Sequence, residues 1–182
     1  FTGIIAAALS WIISNIFASR IANPIKKLAG VADKIALGDV SATVDHTSND
    51  EIGHLADSMN KMATNVREQA IALQSIADGD FKNGVAIKSD KDILSISLNK
   101  LISTLNEMTN QVGNLSQAAV DGKLDTRGKL DGFNGGYYEI INGFNDTLDS
   151  LISPLQVAAE YVERISNGDI PPRIQDEYNG DF

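Results

Sequence analysis

Between Leu94 and Ala119 the apolar residues Leu94, Leu98, Leu101, Leu105, Met108, Val112, Leu115 and Ala119 follow one another at alternating steps of four and three. That spacing is the heptad seam of a coiled coil. A helix with one narrow seam is polar around the rest of its circumference and cannot cover the seam alone. The stretch therefore needs partner helices, and the chain is expected to be an all-α bundle.

The same pattern recurs on both sides. Helical segments end at Gly38-Asp39-Val40, Gly79-Asp80-Phe81, Gly122-Lys123-Leu124 and Gly168-Asp169-Ile170, so the glycines stand 41, 43 and 46 residues apart. A polar connector follows each glycine, and then a new helical pattern begins. The repeating unit is helix, glycine-led connector, helix, present three times with a truncated fourth.

Composition agrees with helices rather than a globular core. Hydrophobic residues make up 43 % of the chain but aromatic ones only 6 %, too few rings to fill a large core. The chain has no cysteine, which excludes disulfides and thiolate metal sites. A net charge of -9 without a basic stripe argues against nucleic-acid binding. The chain opens on Phe1 and closes at Phe182 inside a connector, the pattern expected of an excerpt from a longer protein with its output domain elsewhere.

Phe1 to Ala18 carries no charged side chain and is close to the roughly 20 apolar residues that span a bilayer. Arg20, Lys26, Lys27 and Lys34 follow against the single Asp33, a positive flank that orients what comes next toward the cytoplasm. A secretory signal peptide would have a shorter apolar region and a basic start. Residues 1–19 are accordingly expected to be the end of a transmembrane helix in the inner or cell membrane, with the remainder cytoplasmic.

The first helix of the first unit is expected over Ser19 to Leu37, with Ile21, Ile25, Leu28, Ala32 and Ile35 on one face. Pro24 sits in its first turns, where a missing N–H is tolerated, and marks a bend or uncoupling of the incoming membrane helix at Asn23-Pro24. Gly38 supplies the left-handed residue that closes the helix. The connector from Asp39 to Asn49 is expected to run back along the bundle, anchored by Val40 and Val44, which makes the two helices of the unit parallel. Asn49 or Asp50 caps the second helix, and Ile52, Leu55, Met59, Met62 and Val66 form its seam. That helix is expected to continue to Asp78, with an ambiguous register near Gln69-Ala70. In the third connector Leu124, Leu130 and Phe133 are candidate pins, and Pro154 is expected to interrupt the last rod.

The combination Asn23-Pro24-Ile25, Gly38-Asp39-Val40 and Asp50-Glu51-Ile52-Gly53 directly after a membrane helix resembles the HAMP signal-relay domain, over about Arg20 to Glu68. The later units resemble the divergent tandem HAMP arrays of bacterial receptors, although Lys123 replaces Asp in the third and neither the second nor the third repeats Asp-Glu-x-Gly. The resemblance implies parallel four-helix coiled-coil bundles formed in a homodimer. It divides the chain into residues 1–19 (membrane), 20–68 (first HAMP unit), 69–108 (second), 109–153 (third) and 154–182 (start of a fourth). It places Ile25, Leu28, Ile35, Ile52, Leu55, Met59 and Met62 in the first bundle core, Pro24, Gly38 and Glu51 as residues that set relay geometry, and Val40 and Val44 as connector anchors. Segments near Ile152-Ser153-Pro154-Leu155 look like those of long methyl-accepting chemotaxis proteins and some hybrid sensor kinases.

The chain is poor in catalytic groups. His46 lies in a connector and His54 off the seam, neither in the context of a phospho-acceptor. Asp50 and Glu51 are explained by helix capping, and Ser89-Asp90-Lys91-Asp92 lacks the glycine and terminal Glu of a calcium loop and reads as another helix start. No enzyme activity, metal or cofactor is expected of this segment. Its expected function is to relay motion of a membrane helix to a downstream signalling domain, and through it to a histidine kinase system, in a chemoreceptor. The same relay in a sensor histidine kinase, or a passive coiled-coil spacer, are the alternatives.

Overall fold

The computed structural model describes residues 2–174. Among them the structure is all-α: α1 (Thr2–Phe17), a π-helical turn (Ala18–Ala22), α2 (Asn23–Ala36), α3 (Glu51–Ala77), α4 (Ile93–Val120) and α5 (Gly136–Ser166). The end of the expected fourth unit, 175–182, lies outside the described residues. The chain divides into two compact units, residues 1–99 and 100–182, and the boundary falls within α4.

The periodic glycines end the helices by one mechanism. Gly38, Gly79, Gly122 and Gly168 adopt φ of 90°, 80°, 73° and 80°, a left-handed conformation that costs glycine nothing. The next residue turns its N–H back five positions: Asp39 to the Lys34 carbonyl (2.9 Å), Asp80 to Ser75 (2.8 Å), Lys123 to Ala118 (2.8 Å) and Asp169 to Arg164 (3.0 Å). This is a Schellman closure. Lys123 serves as well as Asp because the bond uses only backbone. The aspartates add a second device, since Asp39 Oδ1 accepts the Ser41 N–H and Asp80 Oδ1 accepts the Lys82 N–H, both at 3.1 Å.

In the first unit three ordered contacts fix the path of the connector. The Val40 carbonyl meets the Arg67 guanidinium, Val44 meets Asn60, and the Ser48 carbonyl lies against Gly53. As the connector advances, its partners on α3 move back toward the N-terminus, so the connector is antiparallel to α3. The helices α2 and α3 are therefore parallel, as the connector length implies. Their shared core is Leu28, Val44 and Ala56, flanked by half-buried Val31, Ile52 and Met59.

Three expectations are corrected. The helix does not uncouple at Asn23-Pro24, because α1, the π turn and α2 make one helical run, Gly3–Ala36. Proline lacks an N–H and its ring crowds the carbonyl four residues back, and the ladder adjusts by widening one turn earlier, where the Asn23 N–H reaches the Ala18 carbonyl. Pro154 likewise lies inside α5 without ending it, at the cost of one N–H bond. In the third connector Phe133 is buried and Leu130 half-buried, but Leu124 is exposed, two residues past the turn at Gly122.

Gly53 is the tightest backbone approach in the first unit, because a Cβ there would sit 1.8 Å from the Ser48 carbonyl oxygen. Gly53→Ala is expected to destabilise the first unit by about 1–3 kcal/mol through backbone displacement. Gly30, in the interior of α2 with open space around it, provides the contrast. Gly30→Ala should instead stabilise by roughly 0.5–1 kcal/mol through reduced chain entropy. Thermal unfolding of the two variants beside the parent checks both signs.

Candidate functional site

The candidate site is the joint between the apolar helix and the first bundle, together with the contacts that hold the connector. The side chains of residues 3–17 in α1 bury nothing within the chain; Trp11 is 70 % and Ile4 76 % exposed. The π turn follows, and Pro24 is buried at the start of α2. A π turn is a local register shift in the helical ladder, and such shifts concentrate at functional positions.

The head of α3 is capped by Asp50, whose Oδ1 accepts the Gly53 N–H at 3.0 Å. Of the two cap candidates the structure selects Asp50. Glu51 stands exposed in the first turn, where its charge faces the positive end of the helix dipole. The bond from the Gly53 N–H, reinforced by Ser48, holds the Asp50 carboxyl below its ordinary range. Asp92 caps α4 in the same way, and the Lys88 and Ser95 N–H groups hold its carboxyl low.

A contact that sequence reasoning missed repeats in each unit. The Asn60 carboxamide takes the N–H of Val44 at 2.8 Å and gives its own N–H to the Val44 carbonyl at 3.0 Å. Asn99 does the same to Val85, at 2.9 Å for both bonds, and Asn145 to Gly128 at 2.8 and 3.0 Å. An extended connector with no neighbouring strand has unpaired backbone groups, and a primary amide matches one residue's N–H and C=O. The sequence alone did not single these residues out, since the same helices also carry Asn65, Asn106, Asn110, Asn114 and Asn142. Close packing supports the clamps, since a Cβ on Gly128 would lie 2.7 Å from Ile141 and one on Gly84 2.5 Å from Asn99.

The sequence-expected core residues do not all meet within one chain. Leu28 is buried and Ile35, Ile52 and Met59 are half-buried, while Ile25, Leu55 and Met62 are 46 %, 50 % and 50 % exposed. The intrachain interface instead uses the small Ala56 and Ala63, buried to 0 % and 1 % exposure, where α2 and the connector approach α3. Val44 is buried, and Val40 is half-buried and held through its carbonyl by Arg67.

The second repeat replaces one apolar contact with a polar one. Leu28 and Gln69 each precede their closing glycine by ten residues, and Ala56 and Ser95 each precede their clamp asparagine by four. Where the first unit packs Leu28 on Ala56, the second hydrogen-bonds Gln69 Nε2 to Ser95 Oγ at 3.1 Å, with both residues buried. A satisfied buried polar pair is one way a helical bundle specifies its register. Among the described residues no group of three or more His, Asp or Glu side chains is placed to hold a metal ion.

The HAMP domain family matches residues 16–68 and again residues 132–182. The chain therefore carries HAMP domains in tandem. A putative sensory transducer protein of Acetivibrio thermocellus is 41 % identical over 113 residues, covering 62 % of this chain and 20 % of that protein. The sensor protein SrrB of Staphylococcus aureus is 29 % identical over 113 residues, 60 % of this chain and 19 % of its own length. The chain thus spans about a fifth of the length of these relatives. No solved structure matches it.

Two measurements test the joint. Asn60→Ala removes both bonds to Val44 and leaves its N–H and carbonyl without their partner, and should cost about 1–3 kcal/mol. Hydrogen exchange at the Val44 amide should accelerate, while exchange in the middle of α3 changes less. A depressed Asp50 pKa means that the cap stabilises the fold above the ordinary carboxylate value and is lost as pH falls through the lowered one. Melting temperature should therefore drop on acidification below about pH 4, and less so in Asp50→Asn, which keeps a cap acceptor that does not titrate.

Proposed function

We propose that this segment relays a conformational signal from a membrane-spanning helix, through parallel HAMP bundles in a homodimer, to a signalling domain further along the chain in a methyl-accepting chemotaxis receptor. The observation that carries the reading is the stripe left over after the chain has packed on itself. Ile25, Leu55 and Met62 remain half exposed on a chain whose matched family is the HAMP domain. Burying the exposed half of each gains roughly 0.7–1.5 kcal/mol, and a second copy offers the same stripe in the same register.

The membrane end is supported by the apolar run of α1, the positive residues after it, and the exposure of every apolar side chain it carries. In this reading residues 1–19 lie in the cell membrane and the bundles in the cytoplasm. A shift of α1 passes through the π turn and Pro24 into α2, and the bundle answers by moving between two packings. A bias of about 1–3 kcal/mol between them is enough for useful coupling. The long helices α3, α4 and α5 each end one repeat and begin another, which gives each state a route onward. The segment itself does no chemistry and acts on a histidine kinase system through the downstream domain.

The Acetivibrio relative, named a putative sensory transducer, supports the receptor reading. The more distant SrrB, named a sensor protein, supports a second: the same relay inside a membrane-bound sensor histidine kinase.

Since the chain has no cysteine, single substitutions report directly. Leu55→Cys is expected to form intersubunit disulfides far faster than Asp57→Cys; equal rates would remove the dimer seam. Adding Pro24→Ala should change the Leu55→Cys rate and bias signalling output in the native protein. A passive spacer predicts that neither moves.

A further inference from the structure

The asparagine clamp is the same in all three connectors and cannot tell them apart. It takes one backbone N–H and gives to one backbone carbonyl, groups that every connector carries. In a chain of similar units this is a hazard, because repeat proteins misassemble by docking a segment on the wrong copy of its site. Discrimination has to come from side chains beside the clamp. Four residues before the clamp asparagines stand Ala56, Ser95 and Ile141, and all three are 0 % exposed. The position is closed to water in every unit and carries a different side chain each time.

The first and third units fill this space from opposite sides. In the first, Ala56 packs with Leu28 and with Val44, the residue that the clamp holds. In the third the sizes are reversed: the clamp holds Gly128, and Ile141 occupies the space. A Cβ added at Gly128 would lie 2.7 Å from Ile141 Cγ2 and 3.3 Å from Leu115 Cδ1, so even alanine displaces its neighbours. Val with Ala and Gly with Ile carry the same number of side-chain carbons, and volume-conserving exchanges are the ones a packed core tolerates best. The second connector also presents a valine to its clamp, but there Ser95 bonds to Gln69 instead of packing on a leucine.

We propose that the buried residue four positions before the clamp selects the connector that docks on its helix. Ile141 admits a connector only with glycine at the clamped position and so rejects the first and second connectors, whose Val44 and Val85 would drive into it. Ala56 admits valine, and the third connector docked there would leave a gap where Val44 belongs. The clamp fastens and its buried neighbour chooses. This selection lies within one chain and needs neither the membrane nor a second copy.

Hydrogen exchange at the clamped amides of the full chain tests it, because each amide opens when its connector undocks. The three clamps are read together, so each sample carries its own references. Gly128→Val is expected to lower protection at residue 128 by about tenfold while the Val44 and Val85 amides keep theirs. Ile141→Ala alone leaves a gap and should also cost protection, so recovery in Gly128→Val/Ile141→Ala can come only from matching the pair. The reciprocal exchange is made in the first unit. Ala56→Ile should release the Val44 amide, and Val44→Gly added to it should restore protection at residue 44. Double variants no better protected than Gly128→Val and Ala56→Ile would overturn the selection, as would a Gly128→Val chain that keeps its clamp. Loss at all three clamps in Gly128→Val would make the effect global rather than one of docking, and would overturn it too.

Discussion

The structure depends on how a connector without a neighbouring strand satisfies its backbone. Between Gly38 and Asp50 the chain runs extended beside helices, and helices have no free ladder to offer. A side-chain amide substitutes for the missing strand: Asn60 pairs both backbone groups of Val44, as Asn99 pairs those of Val85 and Asn145 those of Gly128. Once the connector is held at that point, Val44 closes over Leu28 and Ala56, and the parallel arrangement of α2 and α3 follows. The Schellman glycines start the connectors, aspartate caps end the first two and Gly135 ends the third without a side-chain cap, and each connector is fastened by one amide.

Small residues sit where three segments meet. Ala56 and Ala63 are buried more completely than the large seam residues because α2 and the connector both press on α3 there. The larger residues Ile25, Leu55 and Met62 lie off that contact and stay about half exposed within the chain. The intrachain contact and the exposed stripe therefore use different residues of the same helices.

The repeats are alike in backbone and differ in what they bury. Leu28 on Ala56 is a nonspecific apolar contact, whereas Gln69 with Ser95 must keep its geometry or leave buried polar atoms unsatisfied. The second repeat is thus more narrowly restricted in register than the first, on the same scaffold. The surface ion pairs Lys88–Glu68 and Arg127–Asp149 add little to this, because each has an exposed partner.

The sequence alone determined the helices, their glycine ends, the repeat and the parallel path of the connector. Heptad spacing, left-handed glycine and connector length are local properties that act before any tertiary contact forms. It also singled out Asp50, which caps α3, and Leu28 and Val44, which are buried. Tertiary structure decided what depends on residues far apart. The asparagine clamps pair positions separated by 14 to 17 residues, and no local pattern distinguishes a clamping Asn from a solvated one. The same holds for Ala56 and Ala63, whose burial reflects the closeness of a third segment rather than their own hydrophobicity. The adjustment at Pro24 appeared as a π turn rather than a break, because a helix keeps its remaining hydrogen bonds when widening one turn costs less than ending it.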